Sequence, residues 1–95
     1  MKPRVVNRRN YNPSAILVDR STLFGNPFRI GVDGNRVQVV AKHREWVMGE
    51  GPDTIHGFSR AKVLTLIPTL KGKNLKCWCY PLPCHASILL ELANE

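Results

Sequence analysis

The segment Cys77-Trp78-Cys79-Tyr80-Pro81-Leu82-Pro83-Cys84-His85 holds all three cysteines of the chain and one of its three histidines. Thiols and an imidazole at such spacing suit two kinds of chemistry. As donors, Cys77, Cys79, Cys84 and His85 match a Cys₃His zinc set in ligand type. Their spacing departs from the usual C-x₂₋₄-C pair, because a C-x-C is followed by an adjacent Cys-His, and neighbours at a helix start rarely reach one ion. As reactive groups, Cys84 and His85 pair a nucleophile with a base. Cys84 falls where a helix should begin, and free amide N–H groups and the positive end of the helix dipole there favour a thiolate. The plain alternative is that the cysteines act as small buried hydrophobes and His85 packs beneath the helix.

A second constellation is Arg20-Ser21-Thr22-Leu23-Phe24-Gly25-Asn26-Pro27-Phe28. Arg20 can hold a phosphate with two parallel hydrogen bonds. Asn26 offers a donor and an acceptor together, enough to orient a base edge or an amide. Phe28 and Trp78 present rings for stacking, and Ser21, Gly25 and Cys79 complete the candidate binding set. A purely structural reading makes Gly25-Asn26-Pro27 a turn that needs unusual dihedrals, with Phe24 and Phe28 plugging the core. His43 and His56 stand apart from both constellations and are expected at the surface.

These residues need a scaffold. β-prone runs are Arg4–Asn7 and Ala15–Asp19, joined by a turn over Asn10–Ser14, and the continuous apolar Ile16-Leu17-Val18 suggests a strand covered on both faces. Asp33-Gly34 could close a hairpin, but a helix from about Arg36 to Met48 is favoured, with Val37, Val40, Ala41, Arg44 and Val47 on one face. Gly49–Gly57 reads as a polar loop. Ser59 is a good N-cap for a helix carrying Val63, Leu66, Ile67 and Leu70, which Pro68 should end or kink. Lys71–Asn74 is a turn, Leu75–Cys79 a strand and Tyr80–Pro83 a loop. A last helix from about Cys84 to Ala93 presents His85, Ile88, Leu89 and Leu92. Strands separated by helices predict one α/β domain over residues 1–95, a small, at least partly parallel sheet flanked by helices. Ligands of such sheets lie beyond the carboxyl ends of the strands. The Gly25–Phe28 loop and the Cys84–His85 helix start should therefore face one pocket.

The 95 residues carry 14 Lys and Arg against 7 Asp and Glu, a net charge of +7. No acid precedes Asp19 and none lies between Asp53 and Glu91, so two basic segments could meet in a phosphate-binding face. Arg4 and Lys76, beside Arg20, are the charges best placed for a pocket. No P-loop or G-x-G-x-x-G fingerprint is present, and with no carboxylate expected near the motifs, two-carboxylate hydrolysis and a Mg²⁺ site are disfavoured. No apolar run approaches the roughly 20 residues of a membrane span. No apolar signal region follows the basic N-terminus, and the odd, clustered cysteines suit a reducing compartment, so a cytoplasmic protein is expected.

The chain resembles the bacterial and phage family called domain of unknown function 4326. The resemblance rests on the basic N-terminal strand, the Arg20–Phe28 loop, Arg44-Glu45-Trp46, and Leu70–Ala86 running into Ile88–Leu92. It departs in the short Tyr80–Pro83 loop, where many relatives carry a longer insertion. It implies a compact α/β fold and a phage or bacterial setting, hence host cytoplasm for a phage protein, and it implies no activity. The residues themselves suggest a protein that binds a nucleotide- or nucleoside-like ligand, as an enzyme or without turnover, with Cys84 and His85 as its reactive groups. No cofactor is expected, zinc being the lesser alternative. A competing expectation is a basic nucleic-acid-binding module stapled by zinc. A third, inhibition of a host protein, has no marker in the sequence.

Overall fold

In the computed structural model, which describes residues 3–9, 12–79, 82 and 84–95, three short strands form one parallel sheet. The strands are β1 (Val5–Asn7), β2 (Ile16–Leu17) and, in the middle of the order β1-β5-β2, β5 (Leu75–Cys77). Val5, Val6 and Asn7 pair with Leu75, Lys76 and Cys77, and Ile16 and Leu17 pair with Leu75 and Lys76. Leu75 and Cys77 are fully buried, as expected of a central strand lying under a helix. The expected strand to Cys79 stops at Cys77, and the expected Ala15–Asp19 strand is shorter. Of the apolar run, Val18 is fully buried while Ile16 and Leu17 are only half-buried. Asn10, Tyr11, Tyr80, Pro81 and Pro83, parts of the two expected connecting loops, lie outside the described residues.

The chain leaves β2 through an irregular segment and enters α1 (Arg36–Val47), close to the expected bounds. Asn35 begins it with a capping box: its side chain accepts from Gln38 N–H at 2.9 Å, and the Gln38 amide oxygen accepts from Asn35 N–H at 2.8 Å. The buried face differs from the one expected. Val39, His43, Trp46 and Val47 face inward, whereas Val37, Ala41 and Arg44 are exposed. Trp46 decides the rotation, because burying an indole removes more apolar surface than any competing stripe on this helix. Its Nε1–H donates to Pro52 O at 2.9 Å.

The expected polar loop Gly49–Gly57 contains a strand. Thr54–Ile55 (β3) pairs antiparallel with Phe58–Ser59 (β4) across His56 and Gly57, whose φ values are 49° and 84°. Two successive positive φ values make the primed hairpin turn that matches strand twist. Ser59 caps α2 (Arg60–Leu66), and Pro68 diverts the chain into a 3-10 turn over Ile67–Leu70. The last helix, α3 (His85–Ala93), buries His85, Ala86, Ile88, Leu89 and Ala93. It packs on β5, β1 and the 3-10 turn, while α1 packs on α2 and α3. Val18, Trp46, Val63, Leu70, Leu75 and Leu89 are central to the shared core. The radius of gyration is 12.4 Å, matching the roughly 12 Å expected for a compact domain of this length. Sheet and helices together make an α/β fold. No helix among the described residues is long and apolar enough to cross a membrane.

Candidate functional site

All three sheet strands run parallel, so their carboxyl ends open onto one edge of the molecule. There each strand delivers side chains: Arg8 after β1, Asp19 and Arg20 after β2, Trp78 and Cys79 after β5. Asp19 ties these ends together. Its carboxylate accepts from Arg8 Nη1 at 2.7 Å, from Trp78 Nε1–H at 3.0 Å, and from both Ser21 N–H (2.9 Å) and the Ser21 hydroxyl. Burial works to raise its pKa, but the Ser21 hydrogen bonds and the Arg8 guanidinium outweigh burial and hold it below the ordinary carboxylate range. A carboxylate thus does sit among the motifs, contrary to expectation. Ser21 serves it directly.

The Arg20–Phe28 loop folds for reasons of space more than of dihedral angle. Gly25 has no positive φ. A Cβ there would lie 2.6 Å from Arg20 Cα and 2.8 Å from the Phe58 ring, so only glycine fits. Asn26 is buried and fastens the loop to α1: its Nδ2 donates to Val39 O at 3.0 Å and its Oδ1 accepts from Phe28 N–H at 2.9 Å. The amide expected to orient a ligand is therefore engaged with the backbone. Arg20 Nη2 donates to Phe28 O at 2.6 Å, leaving the rest of its guanidinium at the rim. Burial and the neighbouring Arg29 charge lower the Arg20 pKa, with Asp33 opposing. The Trp78 ring is half exposed, with the Arg8 guanidinium 4.8 Å and the Arg9 guanidinium 5.6 Å from its centroid.

At the start of α3, Cys84 is the N-cap, and its Sγ lies 2.8 Å from Cys77 Sγ. The hydrogen bond with Cys77 and burial push the Cys84 thiol pKa well up, overriding the contribution of the helix start. The shift runs opposite to the lowering expected of a thiol at a helix start. His85 Nε2 lies 2.6 Å from Val18 O, which fixes the proton on that nitrogen and leaves Nδ1 as an acceptor 3.5 Å from Cys84 Sγ. Its burial lowers the His85 pKa, as does the Arg20 charge, against the Val18 carbonyl and Asp19. The Sγ atoms of Cys77, Cys79 and Cys84 all lie within 4.8 Å of one another, close enough that the three could hold a metal ion. His85 meets this cluster through Cys84.

His43 corrects an expectation. It is fully buried, with neither ring nitrogen bonded among the described residues, and its ring stands edge-on to His85 at 5.2 Å. Desolvation, with His85 adding to it, brings its pKa down to about 3. His56 is exposed, as expected.

These elements enclose a pocket of about 630 Å³. Arg20, Ser21, Asn26, Phe28, Trp78 and Cys79 line it, and Cys77, Cys84 and His85 line it as well. Gly25 shapes its loop from behind. Arg4 and Lys76 do not reach it. The sequence reading missed Arg8, Arg29 and Arg36 on its rim and Ile30, Val39 and Val40 on its apolar wall. One signal was available, because Arg36 stands directly after the Asn35 cap, at the mouth of a helix. Its Nη1 is buried and has no hydrogen-bond partner among the described residues.

A family model described as "Domain of unknown function (DUF4326)" matches residues 4–95. No curated protein and no solved structure matches the chain.

Proposed function

The chain belongs to the DUF4326 family, whose description assigns no activity, and from the pocket alone we propose that the protein binds a nucleotide-like ligand, a planar ring system carrying phosphate. The observation that carries this reading is the convergence of Arg8, Arg20, Arg29 and Arg36 on a pocket whose one carboxylate among the described residues, Asp19, is already engaged by Arg8, Ser21 and Trp78. Arg36 strengthens it: a buried guanidinium nitrogen without a partner is costly, and an anion removes the cost. The apolar wall of Phe28, Ile30, Val39 and Val40 suits the ring, and the volume lies within the range of small-molecule sites. The position at the carboxyl ends of parallel strands suits ligand binding in α/β sheets. Cys84 and His85 form the floor beneath such a ligand.

Calorimetric titration with a panel of nucleoside monophosphates and the matching nucleosides tests the reading. At least one monophosphate should bind with one-to-one stoichiometry and more tightly than its nucleoside. Arg36→Ala should weaken it about tenfold or more, the effect of losing a charge-assisted hydrogen bond of about 1.5–3 kcal/mol. Absence of binding across the panel, or an unchanged affinity in the variant, overturns it.

A further inference from the structure

The three cysteines do not behave as ordinary core residues. Cys77 and Cys84 are buried and Cys79 half-buried, and all three line the floor of the pocket. They come from two elements and the residue between: Cys77 ends β5, Cys79 follows it, and Cys84 caps α3. A sheet and a helix thus bring three soft donors to one point.

We propose that Cys77, Cys79 and Cys84 bind a zinc ion as three thiolates, with its fourth position open to the pocket. His85 Nε2–H is anchored on Val18 O, which leaves Nδ1, 3.5 Å from Cys84 Sγ, as an acceptor for the thiol proton that metal binding releases to solvent. Three thiolates and Zn²⁺ leave one negative charge, which the α3 N-terminus and the guanidinium of Arg20 at the same pocket offset. The two closest sulfurs must part by about 1 Å, since Zn–S bonds near 2.3 Å in a tetrahedron separate sulfurs by about 3.8 Å.

His85 is not a ligand of this site. The cluster of mutually close donors comprises the three sulfurs. The fourth, open position distinguishes this centre from a closed structural Cys₃His site, and it would place a metal-bound water or a ligand atom within the pocket. The inference is independent of what the pocket binds.

Cobalt substitution of the reduced wild-type protein is the primary test. One equivalent of Co²⁺ should produce a thiolate-to-cobalt charge-transfer band and intense visible bands of tetrahedral cobalt. Zinc should bleach both, and azide should shift the visible bands by entering the open position. Cys79→Ser, at the least buried of the three positions, should weaken metal binding by at least tenfold in a chromophoric chelator competition while circular dichroism confirms its fold. His85→Asn should keep the charge-transfer band. Octahedral or absent cobalt spectra overturn the site, as does equal metal affinity in Cys79→Ser. Visible bands insensitive to azide overturn the open position, and loss of the charge-transfer band in His85→Asn overturns the three-sulfur assignment.

Discussion

His43 carries the clearest single-residue consequence of the fold. The ring is fully buried against Trp46 and His85, and its pKa is brought down from 6.5 to about 3. Above pH 6.5 the imidazole is neutral both folded and unfolded, so the shift costs no stability. As pH falls from 6.5 towards 3, the unfolded chain takes up a proton that the folded one refuses. Stability should then fall by up to about 1.4 kcal/mol per pH unit from this group. His85, the titratable group facing it, is also depressed and adds to the same acid limb. His43→Leu, similar in volume and without the two unpartnered nitrogens, should flatten that limb by about 2 kcal/mol between neutral and mildly acidic pH. Urea unfolding midpoints across that range decide it, and an acid limb of unchanged steepness would show that the proton goes elsewhere. At this scale the sequence was legible where chemistry clusters: Cys77, Cys79, Cys84 and His85 do meet. His43 was misjudged because nothing near it in sequence marks its burial, which Trp46 imposes by turning α1 inward.

The loop that joins β2 to α1 shows how an element is held by contacts that its own sequence only hints at. Gly25 passes so close to the Arg20 backbone and the Phe58 ring that a methyl group has no room. Asn26 ties the loop to the Val39 carbonyl on α1, and Pro27 is fully buried behind it. Gly25→Ala should destabilise the domain by about 1–3 kcal/mol, the usual cost of overpacking a rigid site. It should weaken pocket ligands too, because relieving the 2.6 Å contact must move the Arg20 backbone. Wild-type unfolding free energy in urea would mean that the loop yields easily. The Gly-Asn-Pro-Phe string was recognisable as special, yet its reason lay in packing and not in the dihedrals that the residue types suggested. The start of α2 was readable from its Ser59 cap. The β3–β4 hairpin was not, since His56 at a positive φ gives no turn signal of the Asn-Gly kind.

Across the whole molecule, the net charge of +7 is divided among distinct tasks. Arg60 Nη1 donates to the carbonyls of Trp46, Glu50 and Gly51 around the carboxyl end of α1, where a cation offsets the helix dipole. Arg44 pairs with Glu91 through two hydrogen bonds and links α1 to α3 across an exposed surface. The two acid-free segments do fold together, since β1 lies against β5 with Val6 opposite Lys76. The pocket nevertheless draws its arginines from four separate places: after β1, after β2, from the following loop and from the first turn of α1. Such convergence is invisible to a count of charges along the chain, and it separates two readings by their response to salt. A ligand held by one phosphate releases few counterions, so its affinity should change by no more than about tenfold for a tenfold rise in salt. A nucleic acid tracking the basic surface would follow a slope near −0.9 per phosphate contacted, steep for any extended contact. Fluorescence anisotropy with a labelled nucleotide and with a labelled short duplex, each across a salt series, should give a shallow line for the nucleotide. The duplex should neither displace it nor match its affinity at physiological salt. A steep duplex line with displacement of the nucleotide would instead make the four arginines part of a nucleic-acid track, because both ligands would then be competing for the same guanidiniums.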